Sequence, residues 1–208
     1  MNYRLFSGRL LLSVSLKWVQ YVFFSLLMIS FSGCDFFKTK PSFQHMDISG
    51  GITQPDFKLT DHNGRAVNLA TFKGKVVVVF FGFTHCPDIC PITLHEWKQA
   101  FERLGDDQKD VVLLLMSVDP RRDTLERLKT YTQSFHPNFL GLSGDLPKIK
   151  SISENYKAFF AQNQQKPESI DHTAASYVID KTGQVRLFVQ HEGKIDRLAE
   201  DLKTLIRL

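Results

Sequence analysis

The sequence predicts an α/β domain that follows a hydrophobic N-terminal leader. Two continuous apolar runs, residues 76–81 and 111–118, are typical of strands that helices cover on both faces. A segment with helical spacing follows each run, and this alternation builds a parallel sheet. The chain has 208 residues, of which 43% are hydrophobic, so it can bury one substantial core. We therefore expect one domain, over residues 51–208, after the leader.

The leader, residues 1–34, has the organisation of an export signal. Its only charged residues are basic, and they precede an apolar stretch at residues 18–31. The next residues, Ser32-Gly33-Cys34, are similar to the lipobox of bacterial lipoproteins, in which Cys34 becomes the lipidated first residue. Asp35 resembles the signal that retains lipoproteins in the inner membrane. A cleaved lipoprotein and an uncleaved signal anchor both stay open, and either one tethers the domain outside the cytoplasm.

The excess positive charge of the chain lies in this leader. The whole sequence has a formal net charge of +4, from 26 basic and 22 acidic residues. Taking away the three basic residues of the leader leaves 23 against 22, a net charge of +1. A nearly neutral domain lacks the basic surface that binding to nucleic-acid phosphates requires. We therefore exclude nucleic acid as a partner.

The first half of the mature chain is predicted to contain a tether, a hairpin and a β-α-β unit. Residues 35–50 mix Lys, Thr, Ser and Pro, which is typical of a tether between a membrane and a domain. Residues 57–60 and 66–69 flank the turn sequence DHNG at 61–64, a strong signal for a β-hairpin. The first apolar strand follows, then a helix to about residue 104, then the second apolar strand.

The second half is predicted to contain three helices and another hairpin. Asp123 is the expected N-cap of a helix over residues 124–135, and Asp145 and Pro147 open a helix that extends to residue 160. The remaining elements are alternating strands at 174–180 and 184–190 and a closing helix at 195–206. This order of elements fits a thioredoxin-like α/β sandwich with an N-terminal β-hairpin.

Two cysteines four residues apart follow the first apolar strand directly. If Cys86 lies near the N-cap of the next helix, Pro87 occupies the first helical position, and Cys90 lies one turn further on the same face. The helix N-terminus favours the thiolate form of both side chains. Because Cys34 belongs to the leader, these are the only thiols of the domain, and a disulfide between them would close a very small loop. We predict a functional pair for soft-metal or redox chemistry.

A third ligand is available at the entry to the strand at 174–180. In thioredoxin-like folds this entry faces the cysteine helix, usually through a cis-proline, but Ala174 stands at about that place. His172 lies two residues earlier, so an imidazole is close to the two sulfurs. Two cysteines and one histidine suit trigonal Cu(I), whereas Zn²⁺ normally takes a fourth ligand. Copper is therefore the favoured metal.

Three separated motifs resemble those of the Sco/SenC family of copper-binding proteins. They are FTHCPDICP at 83–91, SVDPRRDT at 117–124 and DHT at 171–173. The resemblance spans about residues 56–205, almost the whole domain. It implies that Cys86, Cys90 and His172 bind copper, and that the protein helps to build the dinuclear copper centre of cytochrome c oxidase. The implied partners are the copper-centre subunit of that oxidase and other copper carriers, with the domain tethered to the inner membrane and facing the periplasm.

Two functions compete for the same sulfurs. A metallochaperone would hold copper at Cys86, Cys90 and His172 and pass it on by ligand exchange. A thiol-disulfide oxidoreductase would use one thiolate to attack a client disulfide and the other to resolve the mixed disulfide. The three residues between the cysteines, the nearby histidine and the missing cis-proline favour the chaperone, which is not an enzyme. A peroxidase is disfavoured because Thr84 lies two residues before Cys86 rather than three.

Several polar residues beside the motifs have open interpretations. His85 could bind metal transiently or be an exposed bystander, and Asp171 could orient His172 or be solvated. Asp119 and Asp123 could bind a partner or form a turn and a helix cap. The remaining histidines show no partner pattern, so we expect them to be solvated: His45, His62, His95, His136 and His191.

Overall fold

The structure, a computed structural model, describes residues 41–53, 55–166, 169–190 and 193–208, together with residues 18, 20 and 21. The predicted lipidation site Cys34 and nearly all of the predicted leader lie outside the described residues. Residues Ser42–Leu208 form one compact unit. Among the described residues, no helix combines the length and the apolar character that crossing a bilayer would need.

A central sheet organises this unit. The described residues form ten strands: β1 Met46–Asp47, β2 Lys58–Asp61, β3 Ala66–Asn68, β4 Val76–Gly82, β5 Val111–Ser117, β6 Phe139–Ser143, β7 Phe160–Gln162, β8 Ile170–His172, β9 Ala175–Ile179 and β10 Val185–Gln190. Eight of them make one sheet in the order β1-β10-β9-β4-β5-β6-β2-β3, and β7 and β8 pair separately. The pairs β4–β5 and β5–β6 are parallel, and the other pairs are antiparallel.

Helices cover both faces of the sheet, as expected for its buried parallel strands. The described residues form four α-helices: α1 Ile89–Glu102, α2 Leu125–Phe135, α3 Leu146–Asn155 and α4 Ile195–Arg207. Alternate residues of β4 enter two separate apolar cores: Phe80 packs with residues of α1 and α4, and Phe81 packs with residues of α3. The mixed α/β architecture with its N-terminal hairpin is the thioredoxin-like sandwich that the sequence predicts.

The first helix begins later than the sequence spacing predicts. Its N-cap is Asp88, so Pro87 lies before the helix and does not occupy the first helical position. Pro91 explains this difference, because a proline has no N–H and its ring collides with the carbonyl of the residue four positions earlier. A helix begun at Pro87 would meet that collision at Pro91. With Asp88 as N-cap, Pro91 lies in the first turn of the helix. The backbone N–H groups of the first turn have no partner within the helix, so the missing N–H of Pro91 costs no hydrogen bond there.

The region after α2 also differs from the prediction. The helix predicted to reach residue 160 ends at Asn155, and Lys157 then adopts a left-handed conformation with φ 55°, which a continuing helix does not allow. The sequence predicts no strand between α2 and α3, yet β6 lies there. Its Gly141 lets α2 approach closely, because a Cβ at that position would lie 2.6 Å from the Cβ of Leu128.

Part of the predicted tether is folded against the sheet. Strand β1 pairs with β10 through Met46 and Phe188. The backbone N–H groups of Gln44 and His45 donate to the buried carboxylate of Asp201 on α4, at 2.7 and 3.0 Å. The compact unit therefore begins before residue 51.

Candidate metal centre

Two sulfurs and one imidazole meet at the carboxyl end of β4. The ligand atoms of Cys86, Cys90 and His172 all lie within 4.8 Å of one another, and no other group of three potential metal ligands occurs in the part of the chain that the structure describes. Cys90 Sγ lies 3.4 Å from Nε2 of His172. Cys90 is buried, whereas Cys86 and His172 are partly exposed. The structure thus brings together the three residues that the sequence predicts as ligands.

The two cysteines are held by the turn between β4 and α1. Cys86 lies in this turn, where its backbone N–H donates to the carbonyl of Phe83 at 3.2 Å. Cys90 lies in the first turn of α1 and packs in the apolar core against β4. Gly82 provides the space for its sulfur, since a Cβ at Gly82 would lie 2.9 Å from Cys90 Sγ. The glycine at the end of β4 is therefore part of the site, although the sequence analysis does not single it out.

His172 is the last residue of β8 and faces the cysteines from a separate hairpin. Its ring meets Phe80 and Phe83 edge to face, each with a centroid separation of 5.9 Å. Nδ1 lies 3.2 Å from the carbonyl oxygen of Thr173. Since a carbonyl can only accept, Nδ1 carries the proton of the neutral ring, and the lone pair of Nε2 is directed at Cys90. Two aromatic residues that the sequence analysis assigns only to the core thus also orient the imidazole.

The two thiols differ sharply in acidity. The pKa of Cys86 is held below its ordinary value, chiefly by the hydrogen bond from the Cys90 thiol and further by the backbone N–H groups of Asp88 and Cys90. The same hydrogen bond, together with burial, raises the pKa of Cys90. Without metal, the pair therefore consists of a Cys86 thiolate and a Cys90 thiol that share one proton. Coordination of a metal by both sulfurs would release that proton.

His85 and Asp171 lie outside the cluster. Nε2 of His85 lies 3.1 Å from the guanidinium of Arg127, and its Nδ1 lies 3.2 Å from Oγ1 of Thr84. Asp171 is exposed and accepts two hydrogen bonds from the Asn163 amide, at 2.9 and 3.0 Å. The proposed role of Asp171 in orienting His172 is therefore filled by the carbonyl of Thr173.

Of the two acidic residues of the second motif, Asp119 begins the predicted turn, in which its carbonyl accepts from the N–H of Arg122 at 3.2 Å, but Asp123 is not the predicted helix cap. Thr124, not Asp123, is the N-cap of α2, and its hydroxyl accepts from the N–H of Arg127 at 3.2 Å. Asp123 is 1% exposed and accepts from Thr84 and Ser117 instead. Asp119 accepts from Arg122, whose guanidinium lies 5.7 Å from the ring centroid of Phe83. Asp123 and Thr124 could each cap α2, and tertiary contacts of Asp123 decide which of them does so.

The prediction that the other histidines are solvated is wrong for three of them. His62 and His136 are 4% and 6% exposed, and Nδ1 of His45 lies 2.7 Å from the buried carboxylate of Asp201. His136 contacts Gln108 at 2.9 Å, and His62 accepts from the N–H of Gly141 at 3.2 Å. Their partners lie far away in sequence, so no local pattern marks them. His95 is exposed, and His191 lies outside the described residues.

Comparison with known proteins identifies the family. The family model described as SCO1/SenC matches residues 46–207. The chain belongs to the SCO1/SenC family. This finding confirms the resemblance carried by the three sequence motifs.

Members of this family in bacteria and mitochondria are similar to the chain. An SCO2-like protein of Rickettsia prowazekii is 39% identical over 131 residues, which cover 61% of this chain and 64% of that protein. The mitochondrial SCO2 homologue of Homo sapiens is 35% identical over 161 residues, covering 75% of this chain and 59% of the human protein. In both comparisons the match therefore spans less than two thirds of the relative.

A solved structure of the same family contains copper. ScoI of Bradyrhizobium japonicum, with copper bound, is 38% identical and superposes with a TM-score of 0.66. The match covers 72% of this chain and 97% of the Bradyrhizobium chain. The thioredoxin-like fold of this chain is thus the fold of a Sco protein that binds copper.

Proposed function

We propose that this protein is a copper carrier, which binds one copper ion through Cys86, Cys90 and His172 and delivers it to the dinuclear copper centre of cytochrome c oxidase. The convergence of the three ligand atoms within 4.8 Å carries this proposal. Membership of the SCO1/SenC family and the copper in the Bradyrhizobium structure support it. The implied partners are the oxidase subunit that holds the copper centre and other copper carriers.

The donor set fits copper. Two sulfurs and one imidazole are soft to intermediate donors, and three ligands without a fourth suit trigonal Cu(I). A closed structural zinc site would take a fourth protein ligand, and the described residues place no further His, Cys, Asp or Glu in this group. Cys86 and His172 are partly exposed, so an incoming ligand from a partner can reach the centre. Transfer by ligand exchange therefore needs no unfolding of the core.

Each ligand residue has a defined task in this proposal. Cys86 offers a thiolate in the metal-free protein, Cys90 supplies the second sulfur after losing its proton, and His172 directs the lone pair of Nε2 toward them. Phe80 and Phe83 hold the imidazole in this orientation by their edge-to-face contacts. Copper would be coordinated by the two sulfurs and by Nε2 of the imidazole, donors that suit a soft cation.

Metal analysis of the reduced protein tests the proposal. We expect one copper per chain after dialysis against Cu(I) with a competing chelator, and loss of copper from His172→Ala. A stoichiometry near two, or tight binding by the double variant Cys86→Ser/Cys90→Ser, would contradict a single copper site.

Attachment to the inner membrane, with the domain in the periplasm, is a separate part of the proposal. It is supported by the lipobox-like residues Ser32-Gly33-Cys34 after an apolar stretch. Mass spectrometry of the native N-terminus should find a diacylglyceryl group on Cys34. An intact Met1 would instead identify an uncleaved signal anchor, and neither result changes the copper chemistry.

A thiol-disulfide oxidoreductase is the second candidate function, and the unequal acidity of the cysteines favours it. The partly exposed Cys86 thiolate would attack one sulfur of a client disulfide, forming a mixed disulfide and releasing one client thiolate. Cys90, after losing its proton, would attack Cys86 Sγ and release the second client thiolate. The client is then reduced by two electrons and the pair oxidised. Client reduction by His172→Ala at the wild-type rate, with copper binding unchanged, would favour this function over the carrier.

A further inference from the structure

The carboxylate of Asp123 is the centre of a hydrogen-bond network that reaches the turn carrying Cys86. It accepts the backbone N–H of Thr84 at 3.2 Å and the Thr84 hydroxyl at 2.6 Å. Oδ1 accepts the Thr84 hydroxyl, whereas Oδ2 accepts the Thr84 N–H and also the hydroxyl of Ser117, the latter at 2.6 Å. A buried carboxylate is costly unless its oxygens are hydrogen-bonded, and these donors satisfy both of them. The network therefore joins the end of β5 to the residues that follow β4.

The network continues to the surface through His85. Arg127 can only donate, so its contact at 3.1 Å makes Nε2 of His85 an acceptor and leaves the ring proton on Nδ1. Nδ1 lies 3.2 Å from Oγ1 of Thr84, whose own proton is donated to Asp123. Both residues directly before Cys86 are thus tied to α2 and to the loop that precedes it.

We infer that Asp123 is a positioning residue of the metal centre, which holds Thr84 and so directs Cys86 toward Cys90 and His172. This inference rests on the proposed function and deepens it. In the turn, Cys86 has one described backbone hydrogen bond, to Phe83 at 3.2 Å. Without Asp123, the N–H and hydroxyl of Thr84 lose their acceptor, and the turn before Cys86 loses its connection to β5.

A carboxylate of similar burial provides a matched control. Asp61 is 0% exposed and accepts from the N–H groups of Asn63 and Arg65 and from Nε of Arg65, all at 2.9 Å. These donors lie in the β2–β3 hairpin and its turn. Asp61→Ala therefore removes a comparable network that does not include Thr84, and it separates general loss of stability from a specific effect on Cys86.

Hydrogen exchange of the metal-free protein tests the positioning directly. Amides of residues 83–90 should exchange about tenfold faster in Asp123→Ala and in Thr84→Val, since each variant removes hydrogen bonds from this turn. Thr84→Ser keeps the hydroxyl and should restore the wild-type rate, and Asp61→Ala should accelerate exchange only in its own hairpin. If Asp123→Ala does not fold, Thr84→Val still tests whether the contact between Thr84 and Asp123 holds the turn. Wild-type exchange of residues 83–90 in Thr84→Val would overturn the inference.

Copper binding provides the second arm of the experiment. Competition with a chelator should show Cu(I) affinity reduced about 10–100-fold in Asp123→Ala and Thr84→Val, as for other residues that orient metal ligands. The sulfur-to-copper absorption of the copper-loaded protein should shift in the same variants, while Thr84→Ser and Asp61→Ala match the wild type. Wild-type affinity and spectrum in both turn variants would overturn the inference and leave the proposed function intact. A wild-type protein without copper affinity overturns the proposed function, and the exchange rates then still decide whether Asp123 holds the turn.

Discussion

The two sides of the metal centre are built from different parts of the fold. Cys86 and Cys90 follow β4, which has hydrogen-bonded neighbours on both sides in the central sheet. Cys90 is fully buried and belongs to the apolar core between the sheet and α1. His172 ends β8, whose described partner is β7 in a separate two-stranded sheet. The cysteine side is therefore supported by the core, and the histidine side by a short hairpin.

This difference indicates how the centre works. The sulfur of Cys90 lies in a packed core and Cys86 lies in the turn that packs against it, so both are in place before the metal arrives, which lowers the ordering cost of binding. The imidazole is held by edge contacts with Phe80 and Phe83 and by one hydrogen bond to Thr173. Substitutions on the cysteine side should therefore affect stability and copper together, whereas substitution of His172 should affect mainly copper.

The largest effect is expected from the cysteine side. Cys90→Ser should abolish tight copper binding and lower the free energy of unfolding by about 1–3 kcal/mol, because the new hydroxyl is buried in an apolar core. Cys86→Ser should abolish tight copper binding with a smaller loss of stability, since Cys86 is partly exposed. Chelator competition and urea unfolding measure the two quantities. Equal losses of stability in both variants would contradict the contrast between a buried and an exposed sulfur.

The next largest effect is expected from the histidine side. His172→Ala should lower copper affinity by more than about 100-fold, the upper range for residues that act only by orienting ligands. The free energy of unfolding should fall by only about 1 kcal/mol, the contribution typical of an edge-to-face aromatic contact. His95→Ala is the matched control, because His95 is exposed and contacts Gln99 on its own helix. Unfolding of His172→Ala at room temperature would show that the hairpin supports the core.

A smaller effect is expected when the space for a sulfur is filled. Gly82→Ala places a Cβ 2.9 Å from Cys90 Sγ and 3.1 Å from Leu115 Cδ1, so we expect a destabilisation of about 1–3 kcal/mol. Copper affinity should fall about tenfold, because the displaced sulfur no longer meets the other ligands. Gly144→Ala is the control: its Cβ would lie 2.6 Å from Leu59 Cδ2, away from the centre. An equal loss of copper affinity in both variants would exclude a specific role for Gly82.

The smallest expected effect is a difference between the alkylation rates of the two cysteines, which can be measured in the unsubstituted protein. The lowered pKa of Cys86 keeps its thiolate populated as the pH falls below the ordinary thiol value of about 8.5, whereas the raised pKa of Cys90 keeps that side chain protonated. At pH 6, iodoacetamide should therefore modify Cys86 several-fold faster than Cys90 in the reduced, metal-free protein, as mass spectrometry can show. Copper should protect both thiols. Equal reaction rates of the two thiols would contradict the shared-proton description.

Sequence patterns predict most of the elements because these depend on local chemistry. The DHNG turn predicts the β2–β3 hairpin, and the apolar runs predict β4 and β5 within one or two residues of their observed bounds. The start of α1 could also have been predicted, because Pro91 limits where a helix can begin. Strand β6 was not predicted, since five residues around Gly141 become a strand only by pairing with β5 and β2.

Within the metal centre, the roles of some residues follow from the local sequence, whereas the roles of others depend on tertiary contacts. Ligand chemistry and motif spacing predict Cys86, Cys90 and His172 as metal ligands, and the structure brings the three side chains together. The roles of Asp123 and Thr124 are different, since adjacent Asp and Thr residues can each cap a helix. Parallel pairing places Gly82 opposite Ser117, so the two loops that follow these strands lie side by side. That register turns Asp123 inward to Thr84 and leaves the cap to Thr124, a choice that depends on contacts between segments about 40 residues apart.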